Sequence, residues 1–203
     1  SGIDLSVGSV MAFSGTIMAG MMANVGLGPI PAILIGIVVG AAFGLLNGAL
    51  VSRLGMPAII VTLAMMHVPR GFALLYTGGY PVSGLPSSFS FIGRGKLLGA
   101  IPMPVVIMVV VYIASYIILN HTPLGRYIYA LGGNEEAVRL SGIKVKFYKM
   151  VPFIISGITA SLAGLILTSR LMSGQPMAGD GFELNAIAAV VLGGTDIAGG
   201  RGN

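Results

Sequence analysis

Of the 203 residues, 55% are hydrophobic and 8% are charged, with eleven Lys and Arg against six Asp and Glu and a net charge of +5. A soluble domain carries about 25% charged residues to cover its surface, so this composition excludes a water-soluble globule and makes lipid the solvent. There is no cysteine, hence no disulfide, thiol nucleophile or thiolate metal site, and the two histidines, His67 and His121, stand on different segments away from any carboxylate cluster, so no metal is predicted.

A crossing needs about 20 mostly apolar residues. In chain order that length predicts five clear spans, at about 5–24, 30–51, 56–75, 101–119 and 150–171, in an all-α polytopic bundle forming one transmembrane domain over 1–203. The second span carries Ala32, Gly36, Gly40, Gly44, Gly48 and Ser52 at every fourth position, a small-residue ridge of the kind that lets helices approach closely in lipid. Ser156, Ala160, Gly164 and Thr168 repeat the spacing on the fifth, and such ridges are common to most multi-span proteins. The third span holds Thr62, His67, Pro69 and Arg70, and a proline beside an arginine at membrane depth predicts a kink or an early end near Pro69. The last apolar run, Phe182 to Leu192, is too short to cross and predicts a partial sixth span over 182–195. The chain starts without Met or a basic leader and stops in a glycine-rich loop, which predicts a piece of a longer membrane protein and makes the crossing count a lower bound.

Five spans put the 52–55 loop and the long 120–149 loop on one side, with Arg53, Arg126, Arg139, Lys144, Lys146 and Lys149. The positive-inside rule makes that side cytoplasmic, together with residue 1, and turns the Tyr76–Ala100 loop outward. The basic residues are too sparse overall to suggest nucleic acid.

The long loop contains one well-signalled element. Asn134 is an N-cap, Glu135 and Glu136 sit at the positive end of the dipole, Glu135 and Arg139 are spaced i,i+4, and Gly142 is a stop. A helix this short is marginal alone. Ala137, Val138, Leu140 and Ile143 offer apolar contacts to a partner surface; the alternative is a helix lying on lipid headgroups.

Sites for chemistry are few. Gly95-Lys96 fails as a phosphate loop twice, with Ser90 where glycine is needed and Leu97 where a Mg-binding hydroxyl belongs. An intramembrane hydrolase would have to pair Asp4 with Asp180, which the crossing count puts on opposite sides. The polar candidates for a translocation path are Asn24, Asn47, Thr62, His67 and Asn185, each also explicable as an interhelical hydrogen bond. Gly2-Ile3-Asp4-Leu5-Ser6 is echoed by Gly181-Phe182-Glu183-Leu184-Asn185, and starts on opposite sides are what an inverted repeat produces.

Several motifs follow one another in a recognisable order: Gly2-Ile3-Asp4-Leu5-Ser6-Val7-Gly8-Ser9, Pro57-Ala58-Ile59-Ile60-Val61-Thr62-Leu63, Arg70-Gly71, Tyr76-Thr77-Gly78-Gly79, Gly125-Arg126, Ala130 to Ala137, Arg139-Leu140-Ser141-Gly142-Ile143, Glu183 to Thr195 and Gly199 to Gly202. With these the chain resembles the membrane permeases of bacterial ATP-binding-cassette importers for monosaccharides, the ribose, xylose and galactose permeases and those for autoinducer-2. The resemblance implies a helical permease in the inner membrane that binds no cofactor of its own. Its partners would be a second permease subunit, cytoplasmic ATPases that hold ATP and Mg, and a periplasmic or lipid-anchored sugar-binding protein. It also implies that Asn134, Glu135, Glu136, Ala137, Val138, Arg139, Leu140, Ser141, Gly142 and Ile143 form the coupling helix that docks in the ATPase. His67, Val68 and Pro69 depart from the small residues expected before Arg70. The expected function is inward passage of a ribose-type sugar; alternatives are autoinducer-2 or branched-chain amino acids as substrate, or a stand-alone secondary carrier, which the scarcity of intramembrane charge disfavours.

Overall fold

The computed structural model of the protein describes residues 2–196 and Gly200. Of the Gly199 to Gly202 motif, only Gly200 lies within the described residues.

The described chain is almost entirely helical: α1 (Val7–Ala23), α2 (Pro29–Arg53), α3 (Ala58–Thr77), α4 (Ser90–Arg94), α5 (Met103–His121), α6 (Pro123–Gly133), α7 (Glu135–Leu140), α8 (Val145–Leu171) and α9 (Phe182–Leu192). A small antiparallel ribbon, β1 (Lys96–Leu97) with β2 (Ile101–Pro102), leads into α5. Prolines mark several helix starts, where a missing N–H costs nothing: Pro29 after extended Gly28, and Pro123 after Thr122, whose hydroxyl accepts the Gly125 N–H at 3.4 Å.

Four helices, α2, α3, α5 and α8, are long and apolar enough to cross a membrane. The expected five clear spans with a partial sixth are not matched in number, because the first is a helix of only 17 residues and α9 has 11. Residues 2–6 precede α1 without regular structure, and Ser6 stands at its N-cap position without a side-chain capping bond. Nearly all of α1 is buried by its neighbours.

Two further expectations are corrected. The third span does not end at Pro69: α3 continues to Thr77, with Pro69 fully buried. The 120–149 stretch is not an open loop, since α6 and α7 fill most of it and α8 starts at Val145, ahead of the expected residue 150. Amphipathic Lys144 to Lys149 extends α8 beyond its apolar part because nothing between Val145 and Met150 breaks a helix.

The core is α2 laid along α8, with α1 across both. Small residues set the contact. A Cβ on Gly40 would strike the Gly157 carbonyl and the Ser161 hydroxyl; on Gly44, the Phe153 carbonyl; on Gly48, Met150. Gly164 and Thr168 of α8 instead meet α1, at Met11 and Gly15. The contact with α2 is made by Gly157 and Ser161, each one position beyond the expected ridge residues Ser156 and Ala160, while Gly164 and Thr168 of that ridge face α1. Ser14 and Ser161 join α1 to α8 at 3.0 Å.

At the opposite end from α7, the connection between α3 and α5 folds onto the last turns of α8. Phe89 is wholly buried, the Ser169 hydroxyl donates to its carbonyl, and the Gly93 N–H donates back to Ser169 at 2.7 Å.

Candidate functional site

Three features assemble from residues distant in the chain. The first is a polar cluster where residues 2–6 enter the bundle. The Asp4 carboxylate accepts the Ser6 N–H at 3.0 Å and the Ser6 hydroxyl at 2.6 Å on one oxygen, and the Ser156 hydroxyl of α8 at 2.7 Å on the other. Asn47 of α2 donates to the Ser6 hydroxyl at 2.9 Å, and Thr62 of α3 donates to the Ile3 carbonyl at 3.0 Å. Four elements are thus tied at one place, which satisfies a carboxylate that would be costly among apolar helices.

The second feature is an irregular segment within the bundle. After α8 the chain turns back: Gly174 bridges Val82 and lies against Thr16 and Ala19, whereas Gly179 lies against Gly8 and Met11. Residues 174–179 therefore run antiparallel to α1, from its last third to its first turn, and α9 begins there. Backbone without helical hydrogen bonds is tolerated at such depth only where protein satisfies it. Arg70 does this, donating to the Pro176 carbonyl at 2.8 Å and the Ala178 carbonyl at 2.6 Å. Glu183, in the first turn of α9, is buried at 6% exposure, and a Cβ on Gly8 would sit 2.6 Å from its carboxylate. Glu183 of the second echoed motif thus lies against the first turn of α1, just after the first motif. From there α1 leads toward Tyr76, against which Gly20 packs, while the far end of α9 leads toward α6 and α7.

The third feature is α7 with the cavity beside it. Asn134 accepts the Ala137 N–H at 3.0 Å as N-cap, and Gly142 ends the helix with φ +76°, a conformation that side chains resist. The expected Glu135–Arg139 pair does not form. Arg139 binds Glu136, one turn back, and Glu135 reaches Lys149 of α8 at 2.8 Å. The i,i+4 spacing was compatible with either partner, and only the return of α8 alongside α7 offered Glu135 a second cation. The Glu136 carboxylate holds the Arg139 guanidinium above the usual arginine value, by its hydrogen bond first and its charge second. Val138 is the residue of α7 buried against the bundle, and Leu140 stands out at 78% exposure.

Beside this helix lies a cavity of about 510 Å³ between the start of α1 and helices α6, α8 and α9. Its walls include Asp4, Tyr129, Ser156 and Ile187, with Glu135 and Lys149 also lining it.

Of the expected path residues, Asn47 and Thr62 join the Asp4 cluster, buried at 1% and 0% exposure. Asn24 caps the far end of α1, His67 is exposed on α3, and Asn185 is exposed on α9. None of the five lines the cavity. Asp4, Arg70, Ser156 and Glu183 were missed as site residues; a lone intramembrane charge was the available signal for Arg70 and Glu183. Asp180 is exposed and Asp4 is taken up by serines, with no hydrogen bond between them among the described residues, so the hydrolase pairing finds no support. Among the described residues no group of His, Asp and Glu could hold a metal.

The chain is 49% identical to the ribose import permease protein of Bacillus subtilis over 99% of its own length and 62% of the relative's. It is 48% identical to the ribose import permease protein of Escherichia coli, over 100% of this chain and 64% of the relative. The D-allose transport system permease protein of Escherichia coli is 42% identical, over 100% of this chain and 62% of the relative. The chain thus spans less than two thirds of the length of these relatives. No solved structure matches it. Residues 1–201 match the family model for the permease component of branched-chain amino acid transport systems. With apolar helices that tie together around an Arg70-held irregular segment, and relatives this similar over its whole length, the chain is a multi-pass membrane protein that belongs to this family of transport-system permease components.

Proposed function

We propose that the chain is part of the permease subunit of an ATP-driven importer that passes a small, ribose-type sugar into the cytoplasm. The observation that carries this reading is α7, a two-turn helix capped at both ends, anchored to α8 through Glu135 and Lys149 and presenting Leu140, Glu136 and Arg139 to the outside. An isolated helix of this length is unstable in water, and an exposed leucine at its tip suits a groove on a partner. The partner is a cytoplasmic ATPase, which binds ATP and Mg; this chain needs no cofactor. The relatives named for ribose, allose and arabinose support a sugar as the cargo.

On this reading the whole chain is one domain, working with a second permease subunit and with a periplasmic or lipid-anchored sugar-binding protein in the inner membrane. The end carrying α7 faces the cytoplasm, as its basic residues require. Closure of the ATPases displaces α7, the Glu135–Lys149 contact passes the displacement to α8, and the bundle rocks between outward and inward access. The contact of Glu183 with the first turn of α1, from which α1 and α9 lead away in opposite senses, supports an inverted repeat with its irregular segment near the centre.

Full-length permease reconstituted in liposomes with its ATPase and binding protein tests the assignment. Leu140→Asp with Arg139→Ala is expected to abolish ATPase association and sugar uptake while the permease stays folded. Uptake that persists without any ATPase would replace this reading with a secondary carrier.

A further inference from the structure

We infer that the cavity between α1, α6, α8 and α9 is the chamber that holds the sugar on the α7 side of the path, a weak site for a small, neutral, polyhydroxylated ligand; this rests on the importer reading above. At about 510 Å³ the cavity falls within the size of ligand pockets. Its chemistry suits a sugar. The Asp4 carboxylate offers about four lone-pair positions, of which Ser6 and Ser156 take three, leaving acceptor capacity for a sugar hydroxyl. Tyr129 adds a phenol that donates or accepts, and its ring, with that of Phe153, gives the apolar C–H face of a sugar something to lie on.

The charged groups at the wall are Asp4, Glu135, Lys149 and Asp196. Glu135 pairs with Lys149, while Ser6 and Ser156 hydrogen-bond Asp4, so no unpaired basic group stands at the wall to retain an anion. A neutral ligand held by one or two hydrogen bonds leaves readily, which conduction requires. The same pair joins α7 to α8, so the element that contacts the ATPase also borders the chamber. Of the path residues expected from sequence, Asn47 and Thr62 lie buried in the Asp4 cluster behind the wall, and Asn24, His67 and Asn185 lie elsewhere.

The test uses the absence of cysteine from these 203 residues. In the full-length permease, with any cysteine elsewhere changed to serine, Ile187→Cys and Tyr129→Cys place single thiols on the chamber wall from α9 and α6. Tyr80→Cys, at a site 76% exposed away from the cavity, serves as control. Each variant is treated with a sulfonatoethyl methanethiosulfonate in detergent, with and without D-ribose, and then reconstituted with the ATPase and binding protein. Labelling at either wall position is expected to abolish ribose uptake, ribose is expected to slow that labelling, dithiothreitol is expected to restore uptake, and labelled Tyr80→Cys is expected to transport normally. Uptake that survives labelling at both wall positions, or block without protection by ribose, overturns the chamber while leaving the importer reading intact. Failure of the unlabelled permease to import ribose, allose or arabinose overturns the importer reading, and the chamber with it.

Discussion

Helices α2 and α5 are equally apolar and both are long enough to span a bilayer, yet α2 is sunk into the bundle along one face while α5 buries none of its residues. The difference lies in their small residues. Every fourth residue of α2 from Ala32 to Ser52 is Ala, Gly or Ser, whereas α5 has no glycine at all. In lipid, apolar side chains gain nothing by leaving the solvent, so close backbone approach and the dispersion contacts it permits decide which helices associate. Hydropathy selects the helices that enter the membrane, and the ridge selects those that touch.

The sharpest way to break this comparison is to put the same side chain into both helices. Gly157→Leu, at the point where α8 meets the Gly40 backbone, is expected to cost about 3 kcal/mol, the upper part of the overpacking range. Ala114→Leu, on the exposed face of α5, is expected to stay within about 0.5 kcal/mol. Thermal unfolding of the full-length protein in detergent compares the two, and a similar loss at Ala114 would show that α5 is packed against a partner.

Removal of the Arg70 guanidinium is expected to come next. Arg70→Met strips the Pro176 and Ala178 carbonyls of their donor, a loss of about 2 kcal/mol by the worth of charged hydrogen bonds. Limited proteolysis should then cut within 172–181, and Arg70→Lys should recover part of the protection. Unchanged protection in Arg70→Met would mean that the irregular segment is held by its packing on α1 alone.

Smaller effects are expected at α7. Asn134→Ala removes the acceptor for the Ala137 N–H and is expected to cost the helix about 1 kcal/mol, read as faster hydrogen exchange at residues 137–140. Glu136→Gln breaks an exposed ion pair with Arg139 and is expected to shift stability by only about 0.3 kcal/mol. A larger effect of Glu136→Gln on ATP-coupled uptake than on stability would place its charge at the ATPase contact.

The elements most legible in the sequence were those with strong local signals. Asn134, the two glutamates after it and Gly142 mark α7 to within a residue, because caps and dipole act over one turn. The ridge of α2 was equally plain, since it is a regular spacing on one helix. Pro69 misled as a helix end, because a proline inside a helix does not by itself stop it, and here the helix continues to Thr77 with Pro69 buried. The Glu135 partner was wrong for a similar reason: i,i+4 spacing describes an isolated helix, and Lys149 arrives from fourteen residues away. The site was less legible still. Asp4 reads as the acid before a span, and nothing local tells that Ser156 of α8 will bind it.

From the sequence alone came the solvent, the helical class, the capped α7 and the family, since composition, periodicity and motif order are properties of the linear chain. Tertiary structure alone decided that residues 174–179 fold back along α1, that Arg70 answers their carbonyls, that Glu183 lies against the first turn of α1, and that a cavity opens beside α7. Those outcomes depend on contacts between residues a hundred or more positions apart, where each polar group takes whichever partner the packing of apolar helices brings within reach.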